Sequence, residues 1–269
     1  VAFVGTFFAG ITPSSTGGQF AQAYIMNKQG MKVSDAASLL WADFIIYQTT
    51  MMIYVTILFL LRFGYYSAQS AWFNVILLGY AVNAIVILAL YTMALFPKVY
   101  IRLAGFFARL LGKLHILKNP EKTRDSWNLQ MTSFTKEIKS LSTDIKRIIL
   151  CALINTVRLT LLFSLPYVIG LALHIPLEFS SLLDVIALSS FVTMANSFIP
   201  IPGASGGTEV VFNLLFTGLM GTLTSAVMIL WRFSTYHIVL LLGGICFMGA
   251  KNYYIRKESK GKEDSIQLH

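Results

Sequence analysis

Five charged or titratable side chains interrupt stretches that are otherwise apolar: Asp43, Arg158, Glu209, Arg232 and His237. A guanidinium binds phosphate oxygens through two parallel hydrogen bonds, which suits Arg158 or Arg232 to a phosphate. Carboxylates accept a proton or hold an ammonium, which suits Asp43 and Glu209 to a cationic group. Each residue also has a plainer reading. Asp43 and Arg232 can form a structural ion pair, and Arg158 can pair with Asp184, Glu209 or Asp43. Glu209 can stabilise a helix N-terminus. His237, after Thr235 and Tyr236, is either a hydrogen-bonded core histidine or a proton relay.

Two glycine-bearing motifs accompany these residues. Pro13-Ser14-Ser15-Thr16-Gly17-Gly18 and Pro202-Gly203-Ala204-Ser205-Gly206-Gly207 both read P-x-x-[ST]-G-G, 189 residues apart. At the same offset, Asp43 to Tyr47 falls on Arg232 to Tyr236, with the charge reversed at the first position. Two motifs at one spacing indicate an internal repeat. Proline and glycine break helices, and irregular backbone at membrane depth must be buried in protein or line a wet cavity. Thr208 is placed to cap the following helix, with Glu209 in its first turn. The candidate substrate-binding set is therefore Asp43, Tyr47, Arg158, Glu209, Arg232, Tyr236 and His237, with two half-sites. One comprises Thr12, Pro13, Ser14, Ser15, Gly17, Gly18 and Gln19. The other comprises Pro202, Gly203, Ser205, Gly206, Gly207 and Thr208.

The elements that must position these residues are membrane helices. Of 269 residues, 56% are hydrophobic and 12% charged, against about 25% charged in soluble domains. Val1 already lies in an apolar run, so the chain is expected to begin partway through a longer polypeptide, with no cleavable signal peptide. Residues 1–11 are too short to cross, and with 19–26 they read as a hairpin that enters the bilayer and returns. The other reading is the end of an upstream span followed by a surface helix. Full spans are expected over 36–61, 71–96, 148–173 and 222–250, with a second hairpin from 181–199 and 209–216. Cys151 and Cys246, both in apolar segments, read as small core residues.

Segment 97–147 holds eleven Lys or Arg against four Asp or Glu, most of the chain's net charge of +9. Lys98, Arg102, Arg109 and Lys113 share one helical face, which suits an anionic leaflet; the alternative is a solvated linker helix. Phe134, Ile138, Leu141 and Ile145 mark a second amphipathic helix. The positive-inside rule places 97–147 and the tail from 251 in the cytoplasm. The tail is expected to be disordered beyond Arg256. The first hairpin then opens from the inside and the second from the outside, the arrangement of inverted-repeat transporters. Asp43 and Arg232 would each lie roughly 14 Å deep, where an unpaired ion costs at least about 2.5–3.5 kcal/mol. Opposite charges at matched positions there invite pairing.

The fold expected is an all-α polytopic membrane protein, an inverted-topology repeat with two opposed re-entrant helical hairpins. Its parts are 1–96 (first repeat), 97–147 (cytoplasmic basic segment), 148–250 (second repeat) and 251–269 (tail). C-x-x-C, H-E-x-x-H, G-x-S-x-G and Walker A patterns are absent. No cofactor, metal, catalytic residue or nucleic-acid partner is therefore expected.

The pattern P-x-P-G-x-x-G-x-x-E, here Pro200, Pro202, Gly203, Gly206 and Glu209, resembles a signature of the membrane region of the lysylphosphatidylglycerol synthase/flippase family, the multiple peptide resistance factor type. Thr12, Pro13, Gly17 and Gln19 resemble its first signature, with Gln19 where an acid is more usual. The resemblance implies passage of an aminoacylated phospholipid, such as lysylphosphatidylglycerol, to the outer leaflet of a bacterial cytoplasmic membrane. It also implies resistance to cationic peptides. Longer members carry a soluble domain that makes the lipid from aminoacyl-tRNA, and that chemistry would not reside in these residues. The partners implied are anionic and aminoacylated phospholipids, a cytosolic synthase domain and a second copy of the chain. The rival readings are an intramembrane lipid-modifying enzyme using Asp43, Glu209 or His237, and a scaffold that docks a synthase.

Overall fold

The computed structural model describes residues 1–67, 70–96, 98–100, 102, 103, 106, 125, 128, 132, 144–196 and 199–266. Every regular element among them is helical. Helix α1 (Ala2–Ile11) leads through a 3-10 turn (Pro13–Ser15) into α2 (Gly17–Lys28). Pro13 stops α1, because a residue before proline is pushed out of the helical region; Thr12 has φ −109° and ψ 147°. Helix α3 (Val33–Leu61) holds no Gly or Pro and runs unbroken; α4 (Phe63–Ser67) and α5 (Ser70–Leu95) follow. After the basic segment come α6 (Ile145–Ala172) and α7 (Ser181–Asn196). A second 3-10 turn (Pro202–Ala204) opens into α8 (Gly207–Met220). A last long rod joins α9 (Thr224–Arg232), a π-helical stretch (Phe233–His237) and α10 (Ile238–Ile266).

Among the described residues four helical stretches are long and apolar enough to cross a membrane: Val33–Leu61, Phe73–Thr92, Ile145–Ala172 and Pro202–Tyr254. The chain is thus a multi-pass membrane protein. Helices α1 and α7 are apolar but shorter. Most of the amphipathic segment, including Arg109, Lys113 and Phe134, lies outside the described residues. One expectation fails in the tail. The helix continues to Ile266 rather than ending at Arg256, because the good helix formers Lys and Glu outweigh Gly261 and the weaker Ser259, Asp264 and Ser265. Cys151 and Cys246 are exposed free thiols, not core residues; in a membrane helix an apolar neighbourhood in sequence does not mean burial by protein.

The chain divides into two compact units, Val1–Lys32 with Leu165–His269, and Val33–Ser164. They cut across the sequence halves 1–96 and 148–250, since repetition in sequence and compactness in space are separate properties. In the first unit α1 packs on α2 and α10, α7 packs on α8, and the two 3-10 turns touch. Its core includes Val185, Phe191, Val192, Phe212 and Phe216. In the second unit α3 packs on α5. Polar side chains join them: Gln48 Nε2 donates to Asn83 Oδ1 at 2.8 Å, Thr49 meets Tyr91 at 3.1 Å, and Thr56 meets Tyr80 at 2.8 Å. Tyr54 and Thr160 link α3 to α6 at 2.9 Å. Interhelical bonds of this kind in bilayers contribute about 0.6 kcal/mol each, up to roughly 1.7.

Candidate functional site

The two P-x-x-[ST]-G-G turns share one local fold. Thr12 and Ile201, 189 positions apart, have φ −109° and −108°, with ψ 147° and 142°. Ser15 and Ala204, again matched, both take left-handed φ, 57° and 51°. Such a conformation strains a non-glycine residue by about 1–2 kcal/mol. Thr16 Oγ1 donates to the Pro13 carbonyl at 3.0 Å, and Ser205 Oγ donates to the Pro202 carbonyl at 3.2 Å. A threonine closes each turn by a different route. Thr12 Oγ1 accepts from the Gly17 N–H at 2.8 Å, which satisfies an orphan donor at the start of α2. Thr208 Oγ1 lies 2.9 Å from both Asn196 Oδ1 and the Ala204 carbonyl. Thr208 is therefore not the cap expected from the sequence; Gly206, at φ 84°, stands there, and Glu209 does occupy the first turn.

Where the turns meet, Arg232 is the hub. It is 7% exposed. Its Nε donates to Glu209 Oε1 at 2.9 Å, and its Nη2 donates to the Gly203 carbonyl at 3.0 Å, with Ser205 Oγ at 3.5 Å. The guanidinium carbon sits 4.6 Å from the centroid of the Tyr236 ring, a cation–π arrangement. Tyr236 in turn donates its hydroxyl to the Gly10 carbonyl at 3.0 Å, tying the rod to the first hairpin. Gly203 is required here on two counts. Its φ is +62°, and a Cβ would come within 2.5 Å of the Tyr236 ring. Behind the pair, Phe212 stacks on Phe216 at 4.2 Å and on Trp231 at 5.0 Å.

Three polar groups of this site are unused. Glu209 Oε2 is buried and has no hydrogen-bond partner among the described residues, and neither has Trp231 Nε1. Among the described residues no hydrogen bond reaches Arg232 Nη1. The π-helical stretch begins one residue after Arg232. Such irregularities occur often at functional sites. His237 is exposed rather than in the core, and its Nδ1 donates to the Arg232 carbonyl at 3.2 Å.

Asp43, Tyr47 and Arg158 belong to the second unit. Asp43 and Arg158 are exposed, not buried. Which helix face the rest of the chain covers was not legible from sequence. Arg158 lies over the Tyr47 ring, 5.2 Å from its centroid. Among the described residues neither Asp43 nor Arg158 forms an ion pair. The counter-charge of Arg232 is supplied by Glu209, the role the sequence suggested for Asp43.

The remaining candidates fall into place around the turns. Pro13 and Ser15 form the first 3-10 turn with Ser14, and Gly17 and Gly18 begin α2. Gly18 is buried against α1, where a Cβ would meet the Gly5 carbonyl at 2.8 Å. Gln19 is exposed. Pro202 opens the second turn, and Gly207 begins α8 under the Ile199 side chain. Sequence reasoning missed the Gly10 carbonyl, Asn196, Trp231 and the π-stretch. A signal for the last was Ser234-Thr235, whose hydroxyls bond back to Leu230 and Trp231 carbonyls at 2.9 and 2.7 Å.

A family model for the lysylphosphatidylglycerol synthase TM region matches residues 1–243. A UPF0104 membrane protein from Archaeoglobus fulgidus is 26% identical over 250 residues, covering 91% of this chain and 73% of the relative. No solved structure matches.

Proposed function

The chain belongs to the lysylphosphatidylglycerol synthase TM region family, and from that premise we propose that it carries an aminoacylated phospholipid such as lysylphosphatidylglycerol across the bilayer. The observation that supports this most is the buried Arg232–Glu209 pair at the junction of the two turns, with Nη1 and Oε2 both unused. A headgroup bearing phosphate and ammonium exchanges partners with the pair. The phosphate takes the guanidinium, the ammonium takes the carboxylate, and neither ion is left uncompensated. Removing one partner of a buried pair costs about 3–5 kcal/mol, so a ligand that replaces both is the low-barrier way to open it. Tyr236 and Gly203 hold the guanidinium in place meanwhile, and the acyl tails stay in lipid.

On this reading the two turns are the tips of re-entrant hairpins entering from opposite faces. The basic segment 97–147 and the C-terminal tail lie on the cytoplasmic side of a bacterial inner membrane. A cytosolic synthase delivers the lipid there. Arrival in the outer leaflet lowers surface negativity and with it the attraction of cationic peptides.

Liposomes containing the purified chain test this. Fluorescent lysylphosphatidylglycerol placed in the inner leaflet becomes accessible to an external reductant if it crosses. Crossing above the protein-free rate, lost in Arg232→Gln and reduced for the lysyl lipid in Glu209→Gln, is the expected result. Crossing no faster than in empty liposomes sinks the reading, and chemical conversion of the lipid would point to an enzyme instead.

A further inference from the structure

Tyr47 and Tyr236 occupy matched positions of the repeat, and a guanidinium lies over each ring. Each unit therefore carries an Arg–Tyr pair, yet the carboxylates differ. In the first unit Glu209 is bonded to Arg232. In the second, Asp43 lies one helical turn before Tyr47 on the same face of α3. Arg158 lies over the same ring, yet no ion pair closes between Asp43 and Arg158.

Asp43 is ten residues into α3 and Arg158 thirteen residues into α6, both helices long enough to span. At about 1.5 Å per residue the two charges lie roughly 15 and 20 Å along their helices. Both are exposed there. Facing acyl chains, each would cost at least about 2.5–3.5 kcal/mol. A surface that holds both signs at this depth calls for an occupant that carries both signs.

We propose that Asp43, Tyr47 and Arg158 form a second headgroup station, which takes a phospholipid bearing both phosphate and ammonium. Arg158, steadied on the Tyr47 ring, binds the phosphate in bidentate fashion. Asp43 takes the ammonium. The chain then holds two lipids, one at each station. This rests on the lipid-carrying reading above but specifies what it leaves open, the number of stations and the chemistry of the second. Tyr47 is a positioning residue, since it acts through Arg158.

Native mass spectrometry of the full chain in detergent tests the assignment, with dioleoylphosphatidylethanolamine as the two-charge probe. Dioleoylphosphatidylglycerol supplies phosphate alone and a dioleoyl trimethylammonium lipid supplies cation alone. Two retained molecules of the two-charge lipid are expected, each held about tenfold more tightly than either one-charge lipid, or roughly 1.4 kcal/mol. Asp43→Asn and Arg158→Gln each lose one of the two and keep the other. Glu209→Gln loses the complementary one, and Arg158→Lys, which keeps the charge without the fork, binds in between. Matching elution volumes for all variants, and matching melting temperatures for those at Asp43 and Arg158, show that they fold.

An unchanged lipid count in Asp43→Asn and Arg158→Gln overturns the second station. So does an unchanged count with loss of dimer mass, which would make this face a contact between copies of the chain. Lipid counting is independent of crossing. A chain that holds two lipids and moves none refutes the transport reading while the station stands; a chain that moves lipid but keeps its full lipid count in Asp43→Asn and Arg158→Gln does the reverse.

Discussion

The first unit closes its charges and the second leaves them open. Arg232 and Glu209 are in contact, braced by Gly203 and Tyr236, behind a wall of Phe212 and Trp231. Arg158, over the Tyr47 ring, and Asp43, one turn before it, are exposed with no ion pair between them. The same cation-over-tyrosine device thus appears in two electrostatic states. A bonded pair can be part of the architecture, whereas an open one contributes little to folding and is free to meet a ligand. Mutations should therefore separate the units by stability as much as by transport.

The largest effect is expected at Arg232. Arg232→Ala leaves Glu209 without its counter-charge, and the loss should be about 3 kcal/mol, at the low end for buried pairs because Glu209 is 31% exposed. Denaturant or thermal unfolding in detergent measures it, and Glu209→Arg with Arg232→Glu should recover part of the loss if pairing is what matters. Next comes Gly203→Ala, which adds a methyl against Tyr236 to a left-handed strain of about 1–2 kcal/mol. Gly206→Ala has the strain but open space around it, so its melting temperature should fall less than that of Gly203→Ala. Equal falls would show that contact with Tyr236 is not what fixes the turn.

In the second unit the folding contributions come from neutral polar pairs. Gln48→Leu should lower stability by about 1 kcal/mol, with Asn83→Leu alongside it recovering only part of that, because Asn83 also donates to the Gly79 carbonyl. Asp43→Asn should change stability by less than about 0.5 kcal/mol. A loss at Asp43 as large as at Arg232 would erase the difference between the units and make both pairs structural.

Helical class, the spans and both turns were legible, because Pro13, Pro202 and the paired glycines speak through local sterics. The likeness of the two turns was legible from their 189-residue offset, and Ser15 with Ala204 share an unusual backbone state. What was not legible is which side of a membrane helix the protein itself covers. Lipid and protein interiors select the same apolar residues, so Asp43 and Arg158 read as buried ions although only Arg232 is one. The partner of Arg232 was obscured for a related reason. Symmetry pointed to Asp43, while the contact is made by Glu209, 23 residues upstream of it, across the bend between α8 and α9. The π-stretch follows from competition among side-chain hydroxyls, His237 and backbone carbonyls, which no period in the sequence records.

The most direct test of the central claim compares crossing rates of lysylphosphatidylglycerol and phosphatidylglycerol in liposomes containing the native chain or its Glu209→Gln variant. If the Arg232–Glu209 pair opens to receive a two-charge headgroup, the native chain prefers the lysyl lipid and Glu209→Gln loses that preference while keeping its fold. An unchanged preference in the folded variant would contradict it.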